Sequence, residues 1–324
     1  NLCQEITLPT TPLYHIDDNN DHDSEIALCV LSAINLGAIK KLPELESICK
    51  NIVRLLDSII DHQVYLVDAS AKMKYRRSIG VGITNLAYYL AKNNVSYDDN
   101  GALKVVDELM EHIQYYMIKA SVGLAREKGP CKWFNRTKYS QGILPIDTYC
   151  KEVDNIVKRK LSCDWDTLRE DIKTHGMRNS TLTALMPCES SALVTNSTNG
   201  IEPPRGLLSI KKSKQGLLPQ VVPDIHNLRN KYTLAYEMNG NTGYTNIVAV
   251  IQKYVDQSIS ANHYYNFAKY ESGNMPLSEI ATDVIYAYKM GVKTLYYANT
   301  DDGKTDEVTT SDSQSDCTGG ACTL

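Results

Sequence analysis

The chain has 324 residues, 43% hydrophobic and 22% charged, which is the composition of an ordinary globular protein with enough apolar material for one large domain or two modest ones. Its 34 Lys and Arg against 38 Asp and Glu leave a net charge of −4, which gives no electrostatic footprint for a nucleic-acid backbone or an anionic membrane. No run approaches the roughly 18 apolar residues of a spanning helix, the first residues carry no secretory pattern, and nine scattered cysteines do not resemble a secreted disulfide framework, so a cytoplasmic protein is expected.

In chain order, Asn1-Leu2-Cys3-Gln4-Glu5 comes first. Drawn out as a strand, it puts Asn1, Cys3 and Glu5 on one face, setting a thiol between an amide and a carboxylate. A Cys buried in a strand beside surface polar residues is the plainer reading of so short a stretch. The opening at Asn, in sequence that already reads as structured, suggests a cut inside a larger protein. Apolar residues recur at helical spacing over 25–39, which contains Cys29, and over 44–62, with Leu42-Pro43 between them.

An apolar run from Ile79 bearing Gly80 and Gly82 leads into a helix over 85–92. A long amphipathic helix over 102–127 stops near Gly129-Pro130, and a short one over 165–174 ends at His175-Gly176. Ser180–Met186 alternates like a buried strand and breaks at Pro187 into Cys188-Glu189-Ser190-Ser191. The hydroxyls and free backbone N–H groups of that turn suit a phosphate or diphosphate, or it is simply a solvated turn. Further helices are expected over 247–259 and 277–290, and helices alternating with short strands point to an α/β architecture with much of its sheet parallel.

Tyr296-Tyr297 closes the core, and in a chain with 21 tyrosines packing is the default role of such a doublet. From Asp301 onward the residues are mostly small and polar, too few in apolar surface to offset their ordering entropy, so a mobile tail is expected. At its tip Cys317 and Cys322 flank four small residues, Thr318 to Ala321, which let a disulfide close with little strain. A carried redox dithiol is favoured over zinc, for which two cysteines make half a site. Cys49, Cys131, Cys150 and Cys163 suggest only buried spacers or incidental thiols.

Taken in this order, NLCQEI at 1–6, EIALCVLSAINLGAI at 25–39, GVGITNLAYYLAK at 80–92, GILPIDTY at 142–149, THGMRNSTLTALMP at 174–187, NGIEPPRG at 199–206, DQSISAN at 256–262, GVKTLYYANT at 291–300 and the CxxxxC tail resemble the C-terminal half of the large, catalytic subunit of class I, aerobic ribonucleotide reductases. The resemblance covers essentially the whole chain. It implies the second half of a ten-stranded α/β barrel over 1–300, with a central loop carrying the radical cysteine, and a flexible redox tail over 301–324. The reaction it implies is reduction of ribonucleoside diphosphates to deoxyribonucleoside diphosphates by a thiyl radical.

By resemblance, Cys3 matches the radical residue, Glu5 the carboxylate that accepts the 3′-hydroxyl proton, and Asn1 the amide that holds substrate. Cys29 matches one of the two cysteines that end as a disulfide, and Cys317 and Cys322 match the dithiol that re-reduces it. Tyr296 and Tyr297 match the radical relay. Cys188, Glu189, Ser190 and Ser191 match the diphosphate-binding turn, in which the family usually has Ser where this chain has Cys188.

The resemblance implies no cofactor or metal on this chain. The radical comes from a di-metal small subunit, and ATP and deoxynucleotide effectors bind an N-terminal half that also holds the partner of Cys29. Expected partners are that half, the small subunit, thioredoxin or glutaredoxin, and the nucleotide, in a cytoplasm that is the host's if a phage encodes the chain. Half a barrel leaves sheet edges and an apolar interior uncovered, so the chain alone is expected to aggregate, whether it is one piece of a split subunit or a partial sequence. The competing readings are a catalytically silent fragment that assembles with the small subunit, and a stand-alone dithiol exchange protein using the tail alone.

Overall fold

Parallel strands cannot be joined by a tight turn, so each crossover needs a longer segment, usually a helix that buries its apolar stripe on the sheet. A computed structural model describes residues 3–13, 23–213 and 216–301, the side chains of 211–218 apart, and shows this alternation. β1 (Val30–Asn35) and β2 (Ile79–Thr84) pair in parallel, from Val30 opposite Ile79 to Asn35 opposite Thr84, with α1 (Glu44–His62) in the crossover. After α2 (Leu86–Lys92), α3 (Asn100–Lys128) and α4 (Trp165–His175), the chain returns to the sheet at 181–185. There Thr183 bridges to Val81 on one side and Leu185 to Ile259 on the other, both in parallel.

Next come α5 (Glu189–Val194), an antiparallel hairpin of β3 (Leu208–Ser213) and β4 (Gly216–Val221), and α6 (Thr242–Gln252). β5 (Ala261–Asn266) then pairs in parallel with β6 (Leu295–Asp301), with α7 (Leu277–Lys289) in the crossover. The extended segments thus lie side by side in the order β1, β2, 181–185, 259–266, β6, and the expected α/β architecture with a largely parallel sheet is met. Among the described residues no helix is long and apolar enough to cross a membrane.

Three expectations change. Residues 25–39 are not a helix: they form β1 and a 3-10 turn at Leu36–Ala38, because pairing with β2 overrides the helical spacing of a stretch whose Val30 and Ile34 suit a strand. The helix expected over 247–259 runs instead over 242–252, and the chain from Gln257 onward is held against 181–185 by Gln257 N–H to the Thr183 carbonyl at 3.1 Å. Ser180–Met186 is sheet-like as expected, but it pairs through single bridges rather than a continuous ladder.

The core is built on α1 and α3. Leu45, Cys49, Val53, Leu56 and Ile60 recur three or four residues apart, share one face of α1 and are buried. α3 buries Leu103, Val106, Met110, Ile113 and Met117, and with them Asp107 and Glu111. Those carboxylates are paired: Asp107 takes Arg159 Nε at 2.7 Å, Lys253 Nζ at 3.0 Å and the Tyr254 hydroxyl at 2.8 Å, while Glu111 takes Arg159 and Trp165 Nε1. Cys49 and Cys131 are buried, as spacers should be, whereas Cys150 and Cys163 are partly covered.

A second buried cluster sets where β2 begins. Asp57 of α1 is fully buried and accepts from Arg77 Nε at 2.5 Å and Arg178 Nε at 3.2 Å, with Lys128 Nζ at 3.5 Å. Arg77 has the left-handed backbone, φ 50°, two residues before β2, and its carbonyl accepts from Asn179 Nδ2 at 2.9 Å. One carboxylate thereby aligns the start of β2 with the approach to 181–185. Asp57→Asn should lower the unfolding free energy by about 3–5 kcal/mol, as for other buried pairs that lose a partner. A urea titration of the subunit measures it, and a change below about 1 kcal/mol would contradict the role.

Candidate active site

The site is assembled on one segment, Asp256–Asn262, whose side chains alternate between neighbours. The Asp256 carboxylate accepts from the backbone N–H groups of Leu182 at 2.7 Å and Thr183 at 3.0 Å and from the Tyr139 hydroxyl at 2.9 Å. Gln257 Oε1 accepts from Thr7 N–H at 3.3 Å, and Ser258 N–H donates to the Glu5 carbonyl at 2.9 Å. Ser260 Oγ accepts from Gln4 N–H at 3.0 Å and donates to Glu5 Oε2 at 2.6 Å. The loop bearing Cys3 and Glu5 is therefore pinned by backbone and side-chain bonds together. The chain bends at Cys3-Gln4 and is not the regular strand that the shared-face argument assumed; Glu5 is buried, Cys3 partly covered and Gln4 exposed.

Cys3 meets the tyrosine doublet. Tyr296 hydrogen-bonds the Cys3 thiol and donates its hydroxyl hydrogen to Tyr297 Oη at 2.9 Å, and the two rings lie 3.9 Å apart at 39°. Burial, then the bond to Tyr297 and the contact with Cys3, push the Tyr296 phenol far above its ordinary range, so it holds its proton at neutral pH. Tyr297 is 45% exposed and its backbone N–H donates to Asn262 Oδ1 at 3.0 Å. A line of hydroxyl, hydroxyl and thiol thus runs from the surface inward.

Cys29 lies just before β1, its sulfur accepting from Gln257 Nε2 at 3.5 Å. Burial pushes this thiol up to about 12; Gln257 opposes the rise, and the Asp256 and Glu5 carboxylates add to it. Gly80 must be glycine for this arrangement, since a Cβ there would stand 3.0 Å from the Cys29 sulfur, 2.7 Å from Leu31 Cδ2 and 2.9 Å from Ala184 Cβ. The 188–191 turn follows the 181–185 segment and opens α5, as expected of a strand-to-helix turn. Glu189, Ser190 and Ser191 are exposed. Cys188, with φ 63°, turns its thiol inward to the carbonyls of Met186 at 3.5 Å and Ile83 at 3.8 Å, and burial pushes its pKa up to about 12.

Residues 1–298 match the model of the ribonucleotide reductase barrel domain. The chain belongs to the ribonucleotide reductase family. It is 51% identical over its whole length to the ribonucleoside-diphosphate reductase subunit alpha of Haemophilus influenzae and 52% identical to subunit alpha of reductase 1 of Escherichia coli K12, covering 42% and 43% of those proteins. Subunit alpha of phage T4 is 47% identical over 94% of this chain, which covers 40% of it. The chain thus spans less than half the length of these reductase relatives.

Of the reductase site residues read from the sequence, Cys3, Glu5, Cys29, Tyr296 and Tyr297 are brought together around Asp256–Asn262. Asn1, Cys317 and Cys322 lie outside the described residues. The sequence alone assigned no role to Gln257, Ser260, Asn262 or Glu202, although DQSISAN and NGIEPPRG were among the matching segments. Glu202 is buried and accepts from Asn262 Nδ2 at 2.7 Å and the Tyr264 hydroxyl at 2.8 Å, which ties it through Asn262 to the Tyr297 backbone. Burial raises its pKa to about 7, against the opposing pull of Tyr264 and Arg205, with Glu189 adding to the rise.

A carboxyl whose folded pKa is raised favours the folded state most at pH below its unfolded value, and that contribution is lost as pH rises through the folded one. For Glu202 the window runs from its ordinary value of 4.5 to about 7. Glu202→Gln should therefore be stabilised relative to the parent as pH rises across this window, measured as melting temperature against pH. Parallel pH curves for the two proteins would contradict the raised pKa.

Proposed function

We propose that this chain carries the radical thiol, the proton acceptor and one redox thiol of a ribonucleotide reductase large subunit. Joined by the rest of that subunit and by a radical-generating small subunit, it reduces ribonucleoside diphosphates to deoxyribonucleoside diphosphates. The observation that carries the reading is the meeting of Cys3, Glu5, Cys29 and the Tyr296–Tyr297 pair on one scaffold. The open edges at β1 and β6 among the described residues fit one half of a ten-stranded barrel, closed by the remainder of the subunit.

In this reading Tyr297, Tyr296 and Cys3 pass a proton and an electron in short steps along their hydrogen bonds. An S–H bond and an activated ribose C–H bond are close in strength, so the Cys3 thiyl takes the 3′ hydrogen and later returns it. Glu5, one oxygen fixed by Ser260, takes the 3′-hydroxyl proton with the other. The 2′-hydroxyl leaves as water, and Cys29 with a second cysteine gives up two protons and two electrons and forms a disulfide. Ribonucleotide and two thiols become deoxyribonucleotide, disulfide and water.

Re-reduction of that disulfide falls to the Cys317 and Cys322 dithiol, renewed by thioredoxin or glutaredoxin. Asn1 holds the substrate hydroxyls. The diphosphate sits on the 188–191 turn, where the exposed Ser190 and Ser191 and the backbone amides do the binding. Cys188, its thiol directed at two carbonyls, takes no direct part.

The test is turnover of a ribonucleoside diphosphate by this chain assembled with the remainder of the subunit and a small subunit, for the parent and for Cys3→Ser. Turnover should vanish in Cys3→Ser with nucleotide affinity unchanged. Turnover that survives the substitution would overturn the reading, and an assembled parent complex that never turns over would favour the silent assembly fragment instead.

A further inference from the structure

Gln257 is almost fully buried, and its amide is the meeting point of four segments. Nε2 lies 3.5 Å from Cys29 Sγ, 3.2 Å from the Ile79 carbonyl and 3.3 Å from Thr181 Oγ1, while Oε1 accepts from Thr7 N–H at 3.3 Å. The main chain on both sides is fixed, by Gln257 N–H to the Thr183 carbonyl at 3.1 Å and Ser258 N–H to the Glu5 carbonyl at 2.9 Å, so the amide has little freedom to leave. An amide nitrogen has two hydrogens, and here they serve three acceptors.

We propose that Gln257 is a positioning residue for Cys29, a shared hydrogen-bond donor that favours the thiolate required for thiol–disulfide exchange and anchors this sulfur to the segment carrying Cys3 and Glu5. The inference rests on the redox role assigned to Cys29 under the proposed function. A thiolate is a far better acceptor than a thiol or a disulfide sulfur, so the N–H is drawn to Cys29 when the sulfur is charged and falls back on Ile79 and Thr181 when it is not. The need for such a donor is local. Burial and the carboxylates of Asp256 and Glu5 all disfavour the charged sulfur, and Gln257 acts against them.

In the exchange itself, the thiolate of an incoming dithiol bonds to one sulfur of the disulfide, the S–S bond breaks, and the electron pair leaves on the other sulfur, which then takes a proton from water. Whenever Cys29 is released or attacks, it does so as the thiolate. The donor therefore acts at the point of highest charge on this sulfur, through another residue and without touching the nucleotide.

The test uses two variants of the complete subunit. Gln257→Met removes both donor and acceptor at similar length. Gln257→Glu keeps an acceptor for Thr7 N–H but replaces the donor with a negative charge. The readout is the rate of Cys29 alkylation by iodoacetamide at mildly alkaline pH, followed by peptide mass spectrometry, which needs no turnover. Loss of a hydrogen bond to a charged group should slow Gln257→Met about tenfold, and Gln257→Glu should be slower still. If Gln257 were only a clamp on the loop, Gln257→Glu would match the parent and Gln257→Met would react faster as the sulfur became exposed; either result overturns the proposal. Turnover that survived Cys29→Ser would remove the redox assignment instead, while the alkylation rates would still judge the hydrogen bond.

Discussion

The Asp256 carboxylate accepting two consecutive backbone N–H groups, those of Leu182 and Thr183, is the interaction on which the rest of the site depends. A carboxylate inside a sheet is costly unless its oxygens are satisfied, and burial raises the pKa of this one, with the bonds from Thr183, Leu182 and Tyr139 acting the other way. Satisfied in this manner, it stands in for a strand at a place where the ladder is thin, since 181–185 pairs with its neighbours only through single bridges. It also holds the start of the segment that runs on through Ile259 into β5.

The site is built along that segment. Ser258 and Ser260 reach the Cys3–Glu5 loop, Asn262 reaches the backbone of Tyr297, and Gln257 reaches Cys29. Groups far apart in sequence arrive at hydrogen-bonding distances of one another, the close placement that proton and hydrogen-atom transfers need. The same arrangement explains why so many polar side chains are tolerated in the interior: Ser260, Asn262 and Glu202 are buried, and each is bonded to another named group. Such a network rigidifies when fully satisfied.

Much of this was legible in the sequence, but unevenly. Long helices declared themselves by spacing and punctuation, as in α1 and in α3 with its stop at Gly129-Pro130. Residues 25–39 misled because a short apolar run reads equally well as a strand or as a turn of helix, and only the partner strand decides between them. The helix expected through 259 failed for the same reason: a polar tether at Asp256, invisible to periodicity, pulls the chain into the sheet. Among site residues, Cys3, Cys29 and the tyrosine pair were legible through the family resemblance, whereas residue type alone read the doublet as packing and Cys3 as a buried cysteine. Gln257, Ser260 and Asn262 act by holding other groups, and no residue type or spacing in a single sequence marks a residue whose role is to hold.

The central claim is that Cys3 is reached through the hydroxyl of Tyr296, and the most direct test is turnover of the assembled reductase with Tyr296→Phe, which keeps the ring stacked on Tyr297 and deletes the atom that touches the thiol. The account predicts that nucleotide binding is unchanged and turnover falls to background. Turnover near that of the parent would show that Cys3 is activated by another route, and would contradict the account.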